Sequence, residues 1–176
     1  SPESNYRLAE LLSREGRFDE AREIFDVFLE KDPNNEQANL VRNQITLRQS
    51  AGQRIQMLEQ QLRGGTLKFN EAMELCSIYL SMGQFRKADA LMIRLVNDDA
   101  TSPEALMQIA QLAIPNKRYG AIEKCLEKYI VLRPNDPSGW VNLAALQMAL
   151  NKRGEMWVSL QKAIDIGGAP MRNVLL

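Results

Sequence analysis

The chain has 176 residues, 45% hydrophobic and 25% charged, enough to bury an ordinary core, so disordered and collagen-like classes are excluded. Basic and acidic residues number 22 each, with 9 against 11 up to Gly64 and 13 against 11 after it, far from the basic face of a nucleic-acid binder. With no histidine in the sequence, Ser-His and Cys-His catalysis and His-based zinc sites are excluded too.

The first predicted elements are a pair of helices. Tyr6, Leu8, Ala9 and Leu12 supply the apolar stripe of one helix, and Ala21, Ile24, Phe25 and Phe28 the facing stripe of the next. Gly16 lies between them, where a residue tolerant of positive φ ends a helix. Asp32-Pro33-Asn34-Asn35 stops the second helix, because proline cannot continue the hydrogen-bond ladder and Asn favours turns and caps. The apolar residues that follow fall into two clusters, Ala38-Val41-Ile45 and Ile55-Leu58-Leu62, separated by Arg48-Gln49-Ser50 and Gly52. One reading is a long irregular helix near 36–63, its first half closing the first pair and its second half packing on the repeat that begins near Phe69. The other is a hairpin broken at Ser50-Ala51-Gly52, and Gly64-Gly65 ends the segment in either case.

From Phe69 the first pattern returns. Leu75-Cys76, Gly83-x-Phe85, Ala88 and Met92 repeat Leu8-Ala9, Gly16-x-Phe18, Ala21 and Phe25. With Gly16 and Gly83 as equivalent turn residues, repeats run 2–35, 69–102, 103–136 and 137–170, the last three in a 34-residue register. A period of this length marks a stacked helical solenoid. Pro103 and Pro137 suit the first turn of a helix, Pro134 falls in register, and Ala163 matches a second small position. Lys117 and Asn151 replace the turn glycine, and Ile122 and Met156 replace the small Ala, so helix pairing is expected to shift or widen there. Ala169-Pro170-Met171 begins one more helix that caps the stack.

Cys76 and Cys125 lie within helical patterns, without metal-ligand spacing, and read as small packing residues. No carboxylate pair or glycine-rich phosphate loop stands out, so a non-catalytic chain without a cofactor or metal is expected. No apolar run approaches the roughly 18 residues of a membrane span, which argues against membrane insertion by this chain. The opening Ser1-Pro2-Glu3 and the apolar Val174-Leu175-Leu176 are expected of a segment cut from a longer polypeptide. The chain is expected to be a soluble domain, cytoplasmic or periplasmic.

These residues resemble the tetratricopeptide repeat, whose pattern runs from a large residue through Leu and Gly/Ala, a Gly turn, a small Ala and an aromatic to Pro. Trp140-x-x-Leu143-Ala144 is the best match, and Ala9, Cys76, Ala110 and Ala144 supply the small positions. The resemblance implies an all-α protein, a right-handed α-solenoid of antiparallel helix pairs with the long irregular helix near 36–63. Its organisation is an N-terminal repeat at 1–35, an irregular bridging helix at 36–68, three repeats over 69–170, and the start of a capping helix at 171–176. Segment 36–68 departs from the family pattern, because Arg42 and Asn43 stand where Leu and Gly/Ala belong.

The resemblance further implies a protein-protein interaction module whose groove is lined by the first helix of each pair. The groove positions carry Tyr6, Met73, Leu80, Met107, Ile114, Val141 and Met148, an apolar, Met-rich set suited to an amphipathic helix or apolar peptide. The same residues also suit plain packing between helices. Family members that clamp an acidic C-terminal tail use Lys and Asn/Arg where this chain has Tyr6, Glu10, Ser77, Gln111 and Asn142, so no such tail is expected. The pairs Lys117-Arg118 and Lys152-Arg153 recur at about one repeat and read either as solvated turn charge or as a basic edge; Asp98-Asp99 lies near a helix end. An alternative role is the docking tail of a larger, membrane-embedded bacterial protein. The Gln60-Gln61-Leu62 helix before Leu75-x-x-x-Tyr79-Leu80, and Ala163-x-x-x-Gly167-Gly168, are similar to repeat tails of glycosyltransferase-like proteins. Self-association through open solenoid ends or through the groove is a third.

Overall fold

A computed structural model describes residues 2–168, with side chains from Ser4 onward; the capping helix expected at 171–176 lies outside the described residues. Among the described residues there are nine α-helices and no strand. They are α1 (Pro2–Arg14), α2 (Phe18–Lys31), α3 (Glu36–Gly64), α4 (Phe69–Ser81), α5 (Phe85–Asn97), α6 (Pro103–Ala113), α7 (Tyr119–Leu132), α8 (Pro137–Ala149) and α9 (Arg153–Gly167). The chain divides into two compact units at Thr66/Leu67.

In the first unit, α1 and α2 pair and α3 packs against α2. Ala9, Leu12, Ala21, Phe25, Ala38 and Ile45 form its core, with Tyr6, Ile24 and Val41 packed at the margin. Leu8 corrects the sequence reading, being 48% exposed while Ala9 is fully buried. Successive helical residues diverge by about 100°, so a helix that buries Ala9 against α2 turns Leu8 away. The Asn35 side chain accepts a hydrogen bond from the Ala38 amide at 2.9 Å and starts α3. The helix then runs through Gly52 without a break, and the hairpin alternative is not formed. A mid-helix glycine costs only about 1 kcal/mol, too little to end a helix anchored by Ala38 and Ile45. Gly65, at φ +70°, ends it as the Thr66 amide reaches the Gln61 carbonyl at 3.0 Å.

The second unit is a stack of three hairpins, α4/α5, α6/α7 and α8/α9. Each turn repeats one geometry, also found between α1 and α2. A backbone amide bonds back to the end of the first helix, from Arg17 to Leu12 at 2.9 Å, Gln84 to Tyr79 at 2.8 Å, Arg118 to Ala113 at 3.0 Å and Lys152 to Gln147 at 2.8 Å. The residue before each of these amides is left-handed, with φ of +79° at Gly16, +69° at Gly83, +54° at Lys117 and +59° at Asn151. The turn is therefore unshifted where glycine is replaced, which corrects the expectation of altered pairing at that point. Stack-wide packing supplies what Lys117 loses in backbone comfort, on the order of 1–2 kcal/mol.

Neighbouring hairpins meet through α5 against α6 and α7, and through α7 against α8. Gly139 of α8 lies close against α7: a Cβ atom there would lie 2.9 Å from Ile130 Cγ1 and 3.0 Å from Tyr129 Cδ1. Asp136 starts α8 by accepting hydrogen bonds from the Ser138 amide at 2.9 Å and the Tyr129 hydroxyl at 2.6 Å. Cys76 and Cys125 are fully buried, and burial pushes both thiols up to about 12, out of the reactive range.

Candidate apolar binding site

The second unit encloses a recess of about 430 Å³ between α6, α7 and α8. From α6 it takes Met107, Ala110 and Gln111, and from the residue capping that helix Ile114, all three and four apart along one face. Ile122 and Leu126 of α7, with Tyr119 at the start of that helix, form the opposite wall. Asn142, Ala145, Leu146 and Ala149 of α8 complete it. The alanines hold the α8 wall back, leaving the space that larger side chains would fill. The lining contains no Asp, Glu, Lys or Arg, and Gln111 and Asn142 are its two amides. Such a surface takes an uncharged apolar group, with two carboxamides able to donate to or accept from a peptide backbone.

The seven groove positions separate into different surroundings. Met107 and Ile114 line the recess, and Ile114 is 57% exposed at its mouth. Val141 is half-buried and Met148 is 65% exposed, both outside the lining. Met73 is half-buried on α4. Leu80, near the end of α4, is only 7% exposed and belongs to the core. Tyr6 belongs to the first unit, its ring 5.0 Å from that of Phe25, beside a separate cavity of about 220 Å³ shared with Glu10, Val41 and Arg48.

Sequence reasoning missed the α7 wall because it carried over only the first helix of each pair. The signal that pointed there was Ile122, flagged as bulky at a small position, which now lines the recess while itself 5% exposed.

The basic turn pairs do not form a free edge. Arg118 lies over the Phe85 ring at 4.7 Å and reaches Asp89 of α5 at 3.5 Å. One repeat later, Lys152 reaches Glu123 of α7 at 3.3 Å, and this hydrogen bond holds its ammonium above the ordinary lysine range. One cation of each pair thus tethers its turn to the preceding hairpin, leaving Lys117 and Arg153 exposed. Among the described residues no group of three Cys, Asp or Glu is placed to hold a metal ion, and no helix is long and apolar enough to cross a membrane.

Paired helices stacked in this way define an α-solenoid, a scaffold class for protein interaction. Residues 2–45 match the family model described as tetratricopeptide repeat. Among solved structures the chain is similar to YrrB, a TPR protein with an unusual peptide-binding site, at 19% identity and a TM-score of 0.43, covering 95% of this chain and 87% of that one. It is also similar to MamA, at 16% identity and a TM-score of 0.44 over 92% and 89% of the two chains. The MamA of Desulfovibrio magneticus RS-1 gives 11% identity and a TM-score of 0.42, with 94% of each chain covered. No curated protein matches the sequence.

Proposed function

We propose that the chain is a non-catalytic interaction module whose recess between α6, α7 and α8 receives an apolar side chain of a partner polypeptide. The observation that carries this reading is the chemistry of the lining: a recess of about 430 Å³, apolar on three helices, free of charged residues and provided with two carboxamides. Its volume falls within the roughly 300–1,000 Å³ of ordinary ligand sites. Met107 adapts to occupants of different shape through its flexible thioether, while Tyr119 and Ile122 keep the opposite wall fixed. Gln111 and Asn142 orient the partner's backbone, and binding involves no chemistry on it. Of the seven groove positions, Met107 and Ile114 make direct contact with the occupant; Val141 and Met148 lie beyond the recess and contribute little.

A displayed library of random peptides tests the reading, selected on the parent chain and rescreened on Ile114→Lys and Met148→Lys. Both substituted residues are more than half exposed, so both variants keep the fold, which circular dichroism checks. Peptides centred on uncharged apolar residues should be selected, should lose at least about tenfold in affinity for Ile114→Lys, and should keep it for Met148→Lys. Peptides that bind Ile114→Lys as well as the parent would place binding elsewhere and overturn the proposal.

A further inference from the structure

The recess between α6, α7 and α8 has an apolar floor and a polar rim, and every residue lining it belongs to the second unit. Ala110, Ile122, Leu126 and Leu146 are buried and form the floor, while Gln111 and Asn142 are exposed at the mouth. An occupant therefore inserts an apolar end and keeps its polar backbone at the rim. With no charged side chain in the lining, a charged end would lose its hydration without gaining a partner.

Three features of the walls decide which apolar end fits. Ala145 and Ala149 stand one turn apart on α8, and residues four apart share a helix face, so the two form a strip with nothing beyond Cβ. The same positions hold Gln111 and Pro115 one repeat earlier and Ser77 and Ser81 two repeats earlier, so within the second unit the strip is particular to the last hairpin. A planar group lies flat against such a strip, whereas a branched aliphatic side chain leaves space beside it unfilled and forfeits those contacts. Elsewhere in the lining, Tyr119 supplies a ring and Met107 a thioether. An aromatic occupant gains from both, through offset or edge-to-face ring contact and through sulfur at the ring edge, beyond the area that it buries. An aliphatic occupant gains from area alone.

We infer that the recess selects an aromatic side chain, its ring seated on the strip of Ala145 and Ala149 within reach of Met107 and Tyr119. This deepens the reading of the recess as the partner site and rests on it.

Three capped pentapeptides test it, alike in their alanine and glycine flanks and carrying phenylalanine, cyclohexylalanine or leucine at the centre. Each is titrated into the intact chain with carbon-13 in its methionine methyl groups, the Met107 signal being identified by its loss in Met107→Leu. The phenylalanine peptide should shift the Met107 signal through its ring current and bind at least about tenfold more tightly than the leucine peptide. The cyclohexylalanine peptide, similar in bulk but without π electrons, should fall between them. Ala145→Leu and Ala149→Leu, made separately at exposed positions and checked for helicity, should each weaken phenylalanine binding at least about fivefold and leave leucine binding less affected. A leucine peptide that binds as tightly as the phenylalanine one, and is lost on Ile114→Lys, would overturn the inference while leaving the recess as the partner site. Phenylalanine binding undiminished in both alanine variants would also overturn it. If none of the three peptides moves the Met107 signal at millimolar concentration, the inference and the reading beneath it fail together.

Discussion

The Ser159 hydroxyl donates a hydrogen bond of 2.8 Å to the side-chain carbonyl of Gln147, joining α9 to α8 with both side chains buried. The equivalents of Gln147 in the other first helices are Leu12, Tyr79 and Ala113, and that of Ser159 in α7 is Cys125, so the last hairpin uses a polar pair where its neighbours are largely apolar. Ser159→Ala leaves the Gln147 carbonyl buried without its donor, at a cost of about 1–3 kcal/mol. Urea denaturation should show that loss. Gln147→Leu combined with Ser159→Ala should recover most of it, since neither partner then buries an unmatched polar group.

Lys117 holds φ +54° at a turn where Gly16 and Gly83 stand in other hairpins. Lys117→Gly should stabilise the second unit by about 0.5–1 kcal/mol, the relief of left-handed strain exceeding the entropy that glycine loses on folding. Asn151→Gly should gain less, because Asn tolerates that conformation through local hydrogen bonds. Equal or reversed effects in denaturant midpoints would contradict this ordering.

Gly139 of α8 packs tightly on α7, with Ile130 and Tyr129 where its Cβ would go. Gly139→Ala should therefore destabilise by about 1–3 kcal/mol through overpacking, despite the better helix propensity of alanine. Gly52→Ala in α3, where a Cβ would meet nothing within 4 Å, should stabilise by about 0.5–1 kcal/mol. The opposite signs distinguish a glycine required by packing from one that is merely tolerated, and thermal melts of both variants read them out.

Hydrogen bonds from Ser138 and then Tyr129 hold the Asp136 carboxyl below its ordinary value of 3.8. A depressed folded value means that the unfolded chain binds the proton more readily, so the contribution of this carboxylate is complete well above 3.8 and is lost as pH falls through the folded value. Asp136→Ala should cost on the order of 1 kcal/mol at pH 7 through the lost helix cap. The gap between variant and parent should narrow below the unfolded value. A gap that stays constant with pH in urea titrations would show that the carboxylate charge does not matter.

Much of the fold is legible in the residues alone, because it rests on local chemistry. Gly16, Gly83, Pro103 and Pro137 mark turns and helix starts through backbone geometry, and the 34-residue spacing of the later repeats places successive hairpins in one register. Periodicity also separates the two faces of each helix. It does not tell how many neighbours cover a face. That depends on the stacking of helices distant in sequence, and so tertiary structure alone placed Leu80 in the core, left Leu8 and Met148 exposed, and brought Ile122 and Leu126 of α7 opposite Met107 of α6 and Ile114 at its end. The course of α3 was open for a related reason: a glycine costs about the same in a helix that continues as in one about to break.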